Sequence, residues 1–121
     1  MTIQECYREL GGDYLEVSAR LPSPRLIEKF IGKFLEDGSF DALLRAMECG
    51  DRAEAFRAAH TLKGVCANMS FNRLMESASQ LTETLRPEAD AIPAEAAALL
   101  EDVRQDYCAT VASIRSYLGL V

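Results

Sequence analysis

Residues 51–69 read DRAEAFRAAHTLKGVCANM, and this stretch decides the fold. Its apolar residues recur at spacings of four and three, which is typical of a helix that buries one face. The buried stripe would consist of Ala55, Ala59, Leu62, Cys66 and Met69. Asp51 is a natural N-cap, and Glu54 follows at the spacing of a capping box. We therefore predict a helix over 51–69 that packs through this stripe.

Helical signals continue on both sides of this stretch. Four prolines separate segments rich in Ala, Leu, Glu and Arg, and no alternating strand pattern or hairpin turn is visible. Ser23 and Ser70 are each expected to cap the N-terminus of the helix that follows them. Further helices are predicted at 2–10, 13–21, 23–37, 40–49, 71–85 and 94–118, with a loop at 87–93. The predicted fold is all-α: one domain with an antiparallel four-helix bundle (23–121) and additional short N-terminal helices (1–22).

Two of the flanking helices carry apolar stripes with the same period. In the helix that begins at Ser23 the stripe is Leu26, Ile27, Phe30, Ile31, Phe34 and Leu35. In the last helix it is Leu99, Leu100, Val103, Tyr107, Val111, Ile114 and Leu118. These stripes are expected to face the core of the bundle.

The composition excludes several classes of function. The 121 residues carry a net charge of −6, with 7% aromatic residues and no tryptophan, which disfavours binding to nucleic acid or to anionic membranes. No apolar run approaches the roughly 18 residues that span a bilayer, and no signal peptide is visible. We expect a cytoplasmic monomer that binds neither nucleic acid nor membrane.

The four cysteines, Cys6, Cys49, Cys66 and Cys108, are widely scattered. There is no CxxC pair and only one histidine, so the ligands of a zinc site are missing. Disulfides are not expected in a chain without an export signal. We expect the cysteines to be small apolar residues, buried or half-buried, and predict neither a metal nor a cofactor.

The single histidine, His60, lies roughly 140° from the centre of the buried stripe at 100° per residue, so it should face solvent. Its face also carries Ala53, Phe56, Arg57, Lys63, Gly64 and Ala67. Gly64 costs about 1 kcal/mol in a helix interior, which suggests clearance for a molecule that docks beside His60. An exposed imidazole is a nucleophile, and Lys63, one turn on, could pair with phosphoryl oxygens.

At these residues the chain resembles the histidine-containing phosphotransfer (HPt) domain family. The family pattern is close to His-x-x-Lys-Gly, often preceded by Ala and followed, after three intervening residues, by Asn, an aliphatic residue and Gly. Residues 59–69 read AHTLKGVCANM. Ser70 stands where the family usually has Gly, which bears on how closely the two central helices approach at their turn. A polar residue that members often carry on the following helix falls at about Thr82, to which no role is assigned.

The resemblance implies that His60 accepts a phosphoryl group on Nε2 from an aspartyl phosphate in a receiver domain and passes it to another receiver. Lys63 would stabilise the phosphoryl group and Gly64 would leave room for the partner. The partners would be response-regulator receiver domains and a hybrid histidine kinase, and the receiver would bring magnesium. No nucleotide-binding loop is visible, so a phosphocarrier without ATP-dependent kinase activity of its own is expected.

A docking surface follows from the same face. Ala53, Phe56, Gly64 and Ala67 would supply a small apolar patch. The predicted cationic rim around His60 consists of Arg52, Arg57, Lys63 and Arg73. Such a rim would steer an acidic receiver toward a domain whose net charge is negative.

Two other functions stay open at this point. The chain could be a helical docking module that binds a receiver or a kinase without carrying phosphate, although the presence of both His60 and Lys63 argues against it. It could also be a phosphoacceptor domain cut from a chemotaxis-type kinase, which an attached ATP-binding domain would phosphorylate.

Overall fold

The computed structural model describes residues 1–86 and 91–120. Within these ranges the chain forms seven α-helices and no strand, which confirms the all-α prediction. The helices are α1 (Ile3–Leu10), α2 (Tyr14–Arg20), α3 (Pro24–Phe34), α4 (Ser39–Cys49), α5 (Arg52–Met69), α6 (Asn72–Thr84) and α7 (Ala96–Tyr117). Most of the loop predicted at 87–93 lies outside the described residues.

The four-helix bundle consists of α4, α5, α6 and α7. Helix α5 packs against both α4 and α6, α6 packs against α7, and short turns join α4 to α5 and α5 to α6. Helix α1 packs on α7, and α3 lies against α5. Across the described ranges, no helix combines the length and apolarity that crossing a bilayer requires.

A chain of aromatic rings runs through the core and connects α1, α3, α4 and α7 with the turn between α5 and α6. Tyr7 of α1 contacts Phe71, with 5.6 Å between the ring centroids, and Phe71 meets Phe34 of α3 edge to face at 5.1 Å. Tyr107 of α7 follows at 5.9 Å from Phe34 and stacks on Phe40 of α4 at 4.1 Å. Because α1 supplies the first ring, the N-terminal helices share the core of the bundle.

Side-chain caps mark where α1, α2, α3 and α5 begin. Ser23 accepts a hydrogen bond from the Leu26 amide, as predicted, and Asp51 accepts one from the Glu54 amide at 3.1 Å. Only this half of the predicted capping box is present, since the Glu54 carboxylate accepts a hydrogen bond from Arg57 instead. The residues of the predicted apolar stripes are buried or half-buried, with one exception: Phe30 of α3 is exposed.

Ser70 ends α5 instead of capping α6, so this cap prediction was wrong. Its φ of 56° and ψ of 39° are left-handed, a conformation that costs a residue with a side chain about 1–2 kcal/mol. The hydroxyl of Ser70 donates to Glu16 at 2.7 Å and accepts from Arg20 at 2.6 Å. These two hydrogen bonds hold serine in a position where glycine would be unstrained.

The N-terminal helices also satisfy the last carbonyl groups of α5. Arg20 donates to the carbonyls of Ala67 and Asn68 at 3.0 and 2.9 Å, and the Tyr7 hydroxyl donates to the carbonyl of Met69 at 2.8 Å. A β-carbon at Gly12 would lie 2.7 Å from the carbonyl oxygen of Ser70, so the close approach of the two segments requires glycine there. Residues 1–20 thus form the C-terminal cap of the central helix.

The cysteines divide into two pairs, which corrects one expectation. All four are free, and Cys6 and Cys66 are buried as expected. Cys49 and Cys108 are exposed, because Cys49 is the last residue of α4 and Cys108 lies on the outer face of α7. Burial raises the pKa of the Cys66 thiol to about 12 and that of Cys6 to about 11.

This division predicts the reactivity of the thiols. The thiolate is the nucleophile, so a disulfide reagent at about pH 8 should modify Cys49 and Cys108 rapidly and leave Cys6 and Cys66 unmodified in the folded protein. All four should react in guanidinium, and absorbance of the released thiol counts them. A third fast thiol in the folded protein would contradict the burial of α1 or α5.

Candidate functional site

Helix α5 presents His60 to solvent. The five residues of its predicted stripe are all buried, with Leu62 and Cys66 fully inaccessible, while His60 on the opposite side is exposed. The orientation expected from helical geometry is therefore confirmed. Such an imidazole can meet a partner without any movement of the core.

The ring of Phe56 lies beside the imidazole. Phe56 precedes His60 by one turn, the centroids of the two rings are 6.0 Å apart, and their planes differ by 17°. The guanidinium carbon of Arg86, just after α6, lies 5.7 Å from the centroid of Phe56. Phe56 thus lies between His60 of its own helix and Arg86 of the segment that follows α6, and its contact with Arg86 is a cation–π arrangement.

Charged side chains complete this flank of the site. Arg86 donates two hydrogen bonds to the Glu83 carboxylate, at 2.8 and 3.0 Å. These hydrogen bonds are the main reason why the pKa of Glu83 is lowered, and the charges of Arg86 and Lys63 lower it further. Lys63 is half-buried, and at about 100° per residue it projects within about 20° of Arg52 and Phe56, whose side chains reach the end of α6. The α6 flank of His60 therefore holds Phe56, Lys63, Glu83 and Arg86.

Glu83 and Arg86 were missed in the sequence. The signal that could have found them is a Glu–Arg pair three residues apart at the end of α6. The turn at Ser70 and Phe71 makes α6 antiparallel to α5, and this brings the end of α6 beside the first half of α5.

The predicted cationic rim is only partly correct. Arg52 donates to four carbonyl groups at and beyond the end of α6, those of Thr84, Leu85, Arg86 and Ala91. It is therefore a cap of α6. Arg73 lies at the start of α6, where its backbone N–H donates to Gly11 and its side chain packs against that residue. Arg57 is exposed on the His60 face, paired with Glu54, and Lys63 lies beside the site.

Thr82 does not reach the site. Its side chain is buried, and its hydroxyl donates to the Ala78 carbonyl at 2.7 Å, inside α6. This hydrogen bond occupies the only proton that the hydroxyl can donate.

Small residues surround His60 along the outer face of α5. Ala53, Gly64 and Ala67 are all exposed. A β-carbon built on Gly64 would have no atom within 4 Å, so packing inside this chain does not require glycine there. The space outside Gly64 on this face of α5 is therefore open.

A groove opens on the other flank of α5, with a volume of about 430 Å³. We call it the α3–α5 groove, and its lining residues are Arg20, Leu21, Phe30, Lys33, Phe34, Asp37, Val65, Asn68 and Met69. Phe30 lies at its edge, with the Lys33 ammonium 5.7 Å from its ring centroid. The groove gives the otherwise exposed ring of Phe30 an apolar wall.

The described residues hold no group of three His, Cys, Asp or Glu side chains placed to bind a metal ion. The outer face of α5 presents one exposed imidazole with charged and small residues beside it.

Comparison with known proteins identifies the family. A family model, the Hpt domain, matches residues 25–112, which include α4, α5, α6 and nearly all of α3. No match was found among curated proteins or among solved structures. Hpt domains interact with receiver domains and histidine kinases in phosphorelays. The match covers well over half of the chain and contains His60, and the protein therefore belongs to the Hpt domain family, the phosphotransfer modules of two-component signalling.

Proposed function

We propose that this domain is a phosphorelay intermediate in which His60 accepts a phosphoryl group from a receiver aspartate and passes it to a second receiver. The observation that supports this most directly is the exposure of His60 on a helix whose opposite face is fully packed. The family match supports the same chemistry. The domain would work as a carrier between two partners.

The transfer needs little from the domain beyond position. The P–O bond of the aspartyl phosphate breaks, its electron pair stays on the carboxylate, and an unprotonated imidazole nitrogen (Nε2, by analogy with the family) forms the P–N bond. The reaction is fastest when the nucleophile lies in line with the bond that breaks. Stacking on Phe56 restricts the imidazole, and the receiver would supply the magnesium.

The neighbours of His60 have separate proposed roles. Lys63 would pair with phosphoryl oxygens after transfer, as a charge-assisted hydrogen bond. Gly64 would admit the receiver close to the ring. Ala53, Phe56, Arg57 and Ala67 would contact the receiver around it, and the α3–α5 groove extends this surface beside Val65 and Asn68.

The direct test is to incubate the domain with a phosphorylated receiver. We expect an acid-labile, alkali-stable label on the domain, which a second receiver then removes. Binding without label would favour the docking module. Label obtained only from ATP and a kinase ATP-binding domain, and never from receivers, would favour the phosphoacceptor of a chemotaxis-type kinase.

Gly64→Gln should weaken receiver binding by at least about tenfold, or about 1.4 kcal/mol, because the new side chain would occupy the space beside His60. The fold should be preserved, since a β-carbon there meets nothing and glutamine is the better helix former. Titration calorimetry with the receiver would measure the affinity.

Gly32→Gln is the matched control. Gly32 also lies inside a helix with no atom within 4 Å of an added β-carbon, about 200° around α3 from Phe30 and the groove. The Gly32→Gln variant should bind the receiver with wild-type affinity. Equal affinities for both variants and the wild type would show that clearance at Gly64 has no role in docking.

A further inference from the structure

Glu83 holds a distinctive place on the α6 flank of His60. Its carboxylate accepts both hydrogen bonds from Arg86, whose guanidinium lies over the ring that stacks on His60. Lys63 projects from α5 toward the same end of α6, and its charge helps to lower the pKa of Glu83. Arg86 and Lys63 thus share Glu83 as an anionic neighbour.

Phosphorylation of His60 would place up to two negative charges on this flank. The phosphoryl oxygens would attract Arg86 and Lys63, and the Glu83 carboxylate would compete for both cations while repelling the new charge. Glu83 is exposed, so water and salt weaken this repulsion, and the effect should depend on ionic strength.

We propose that Glu83 is a counter-charge that competes with the phosphoryl group on His60 for Arg86 and Lys63, and so raises the transfer potential of the phosphorylated domain. The proposal rests on the proposed function of His60. In the unphosphorylated state Glu83 pairs with Arg86, holds it over Phe56 and offsets part of the remaining positive charge of Lys63. In the phosphorylated state the same carboxylate disfavours the P–N bond, which helps the group to leave for the next receiver.

Glu83 therefore differs from a catalytic residue. It touches neither the bond that breaks nor the bond that forms, and it sets the equilibrium between phosphorylated domain and phosphorylated receiver. A carrier that bound its phosphoryl group too tightly would stop the relay at its middle step, and the carboxylate works against that outcome.

The test is Glu83→Gln, which keeps the shape of the side chain and removes its charge. After mixing with a phosphorylated receiver, the equilibrium ratio of labelled domain to labelled receiver should rise about threefold, and the rise should shrink at about 1 M salt. Glu83→Asp keeps the charge and should return the ratio to the wild-type value. A purely structural role would show no such dependence on salt or charge.

Glu101→Gln is the matched control. Glu101 forms the same pair three residues before an arginine, Arg104, with 56% exposure against 55% for Glu83, but it lies on α7. Its ratio should equal that of the wild type. An unchanged or lowered ratio in Glu83→Gln, with label on the wild type, would overturn this proposal alone. A wild-type domain that takes no label would overturn the proposed function, and this proposal with it.

Discussion

Replacing His60 with glutamine is expected to abolish phosphoryl acceptance and to leave the fold intact. The amide of glutamine offers no basic nitrogen to attack phosphorus, so no label from a phosphorylated receiver should remain. Because His60 is exposed and faces away from the core, stability should change by no more than about 0.5 kcal/mol. Radiolabel transfer and thermal unfolding by circular dichroism would measure the two effects.

The same variant separates transfer from docking. His60→Gln should still bind a receiver with nearly wild-type affinity, because the small residues and the groove around position 60 are unchanged. Label that survives the substitution would place the acceptor on another side chain. Since the chain has one histidine, that label would no longer be phosphohistidine.

Tyr7→Ala is expected to be the most destabilising of the changes considered, by about 3–5 kcal/mol. Tyr7 is 1% exposed, and its ring contacts Tyr14 and Phe71, with 5.6 Å between centroids in each case. The substitution would leave a cavity and also remove the hydrogen bond to the Met69 carbonyl. The melting temperature should fall by about 10 °C or more, and urea unfolding would give the free energy.

Tyr7→Phe is the control, because it removes only the hydroxyl and should cost about 1–3 kcal/mol. Burial, the largest cause, raises the pKa of Tyr7 above its ordinary value of 10.0. Folding therefore favours the neutral form of Tyr7. The stability that this preference contributes is fully present below about pH 10 and is lost as the pH rises further. Tyr7→Phe should lose less stability between pH 9 and about 11 than the wild type.

A melting curve for Tyr7→Ala that equals that of the wild type would show that α1 lies outside the cooperative core.

The helices and the outward direction of His60 could be predicted because both depend on periodicity within one segment. The charged residues around the site could not. Arg52 is close to His60 in the sequence, yet its long side chain donates hydrogen bonds to carbonyl groups just after α6. Arg86 lies 26 positions after His60, and only the antiparallel pairing of α5 with α6 brings it to the site.

Ser70 and Phe30 show a second limit of the pattern. Serine before an apolar helix is typical of an N-cap, but the hydrogen bonds from Arg20 and to Glu16 stabilise a left-handed backbone instead. Phe30 has the spacing of a core residue, yet the core of α3 is filled by Ile27, Ile31 and Phe34, and the phenyl ring is left at the edge of the groove. Both outcomes depend on contacts between segments far apart in the sequence.

The central helix is held at its two ends by different parts of the chain. Arg52, in its first turn, fastens it to the end of α6, while Tyr7 and Arg20 close its last turn from residues that precede the family match. Local opening need not involve both ends at once, since proteins open in separate cooperative units. Local unfolding of the N-terminal helices would expose the backbone amides beyond Cys66 to hydrogen exchange. The helical turn that carries His60 would keep its hydrogen bonds. A segment cut to residues 25–112 would keep His60 but lose the hydrogen bonds that Tyr7 and Arg20 donate to the C-terminal end of α5.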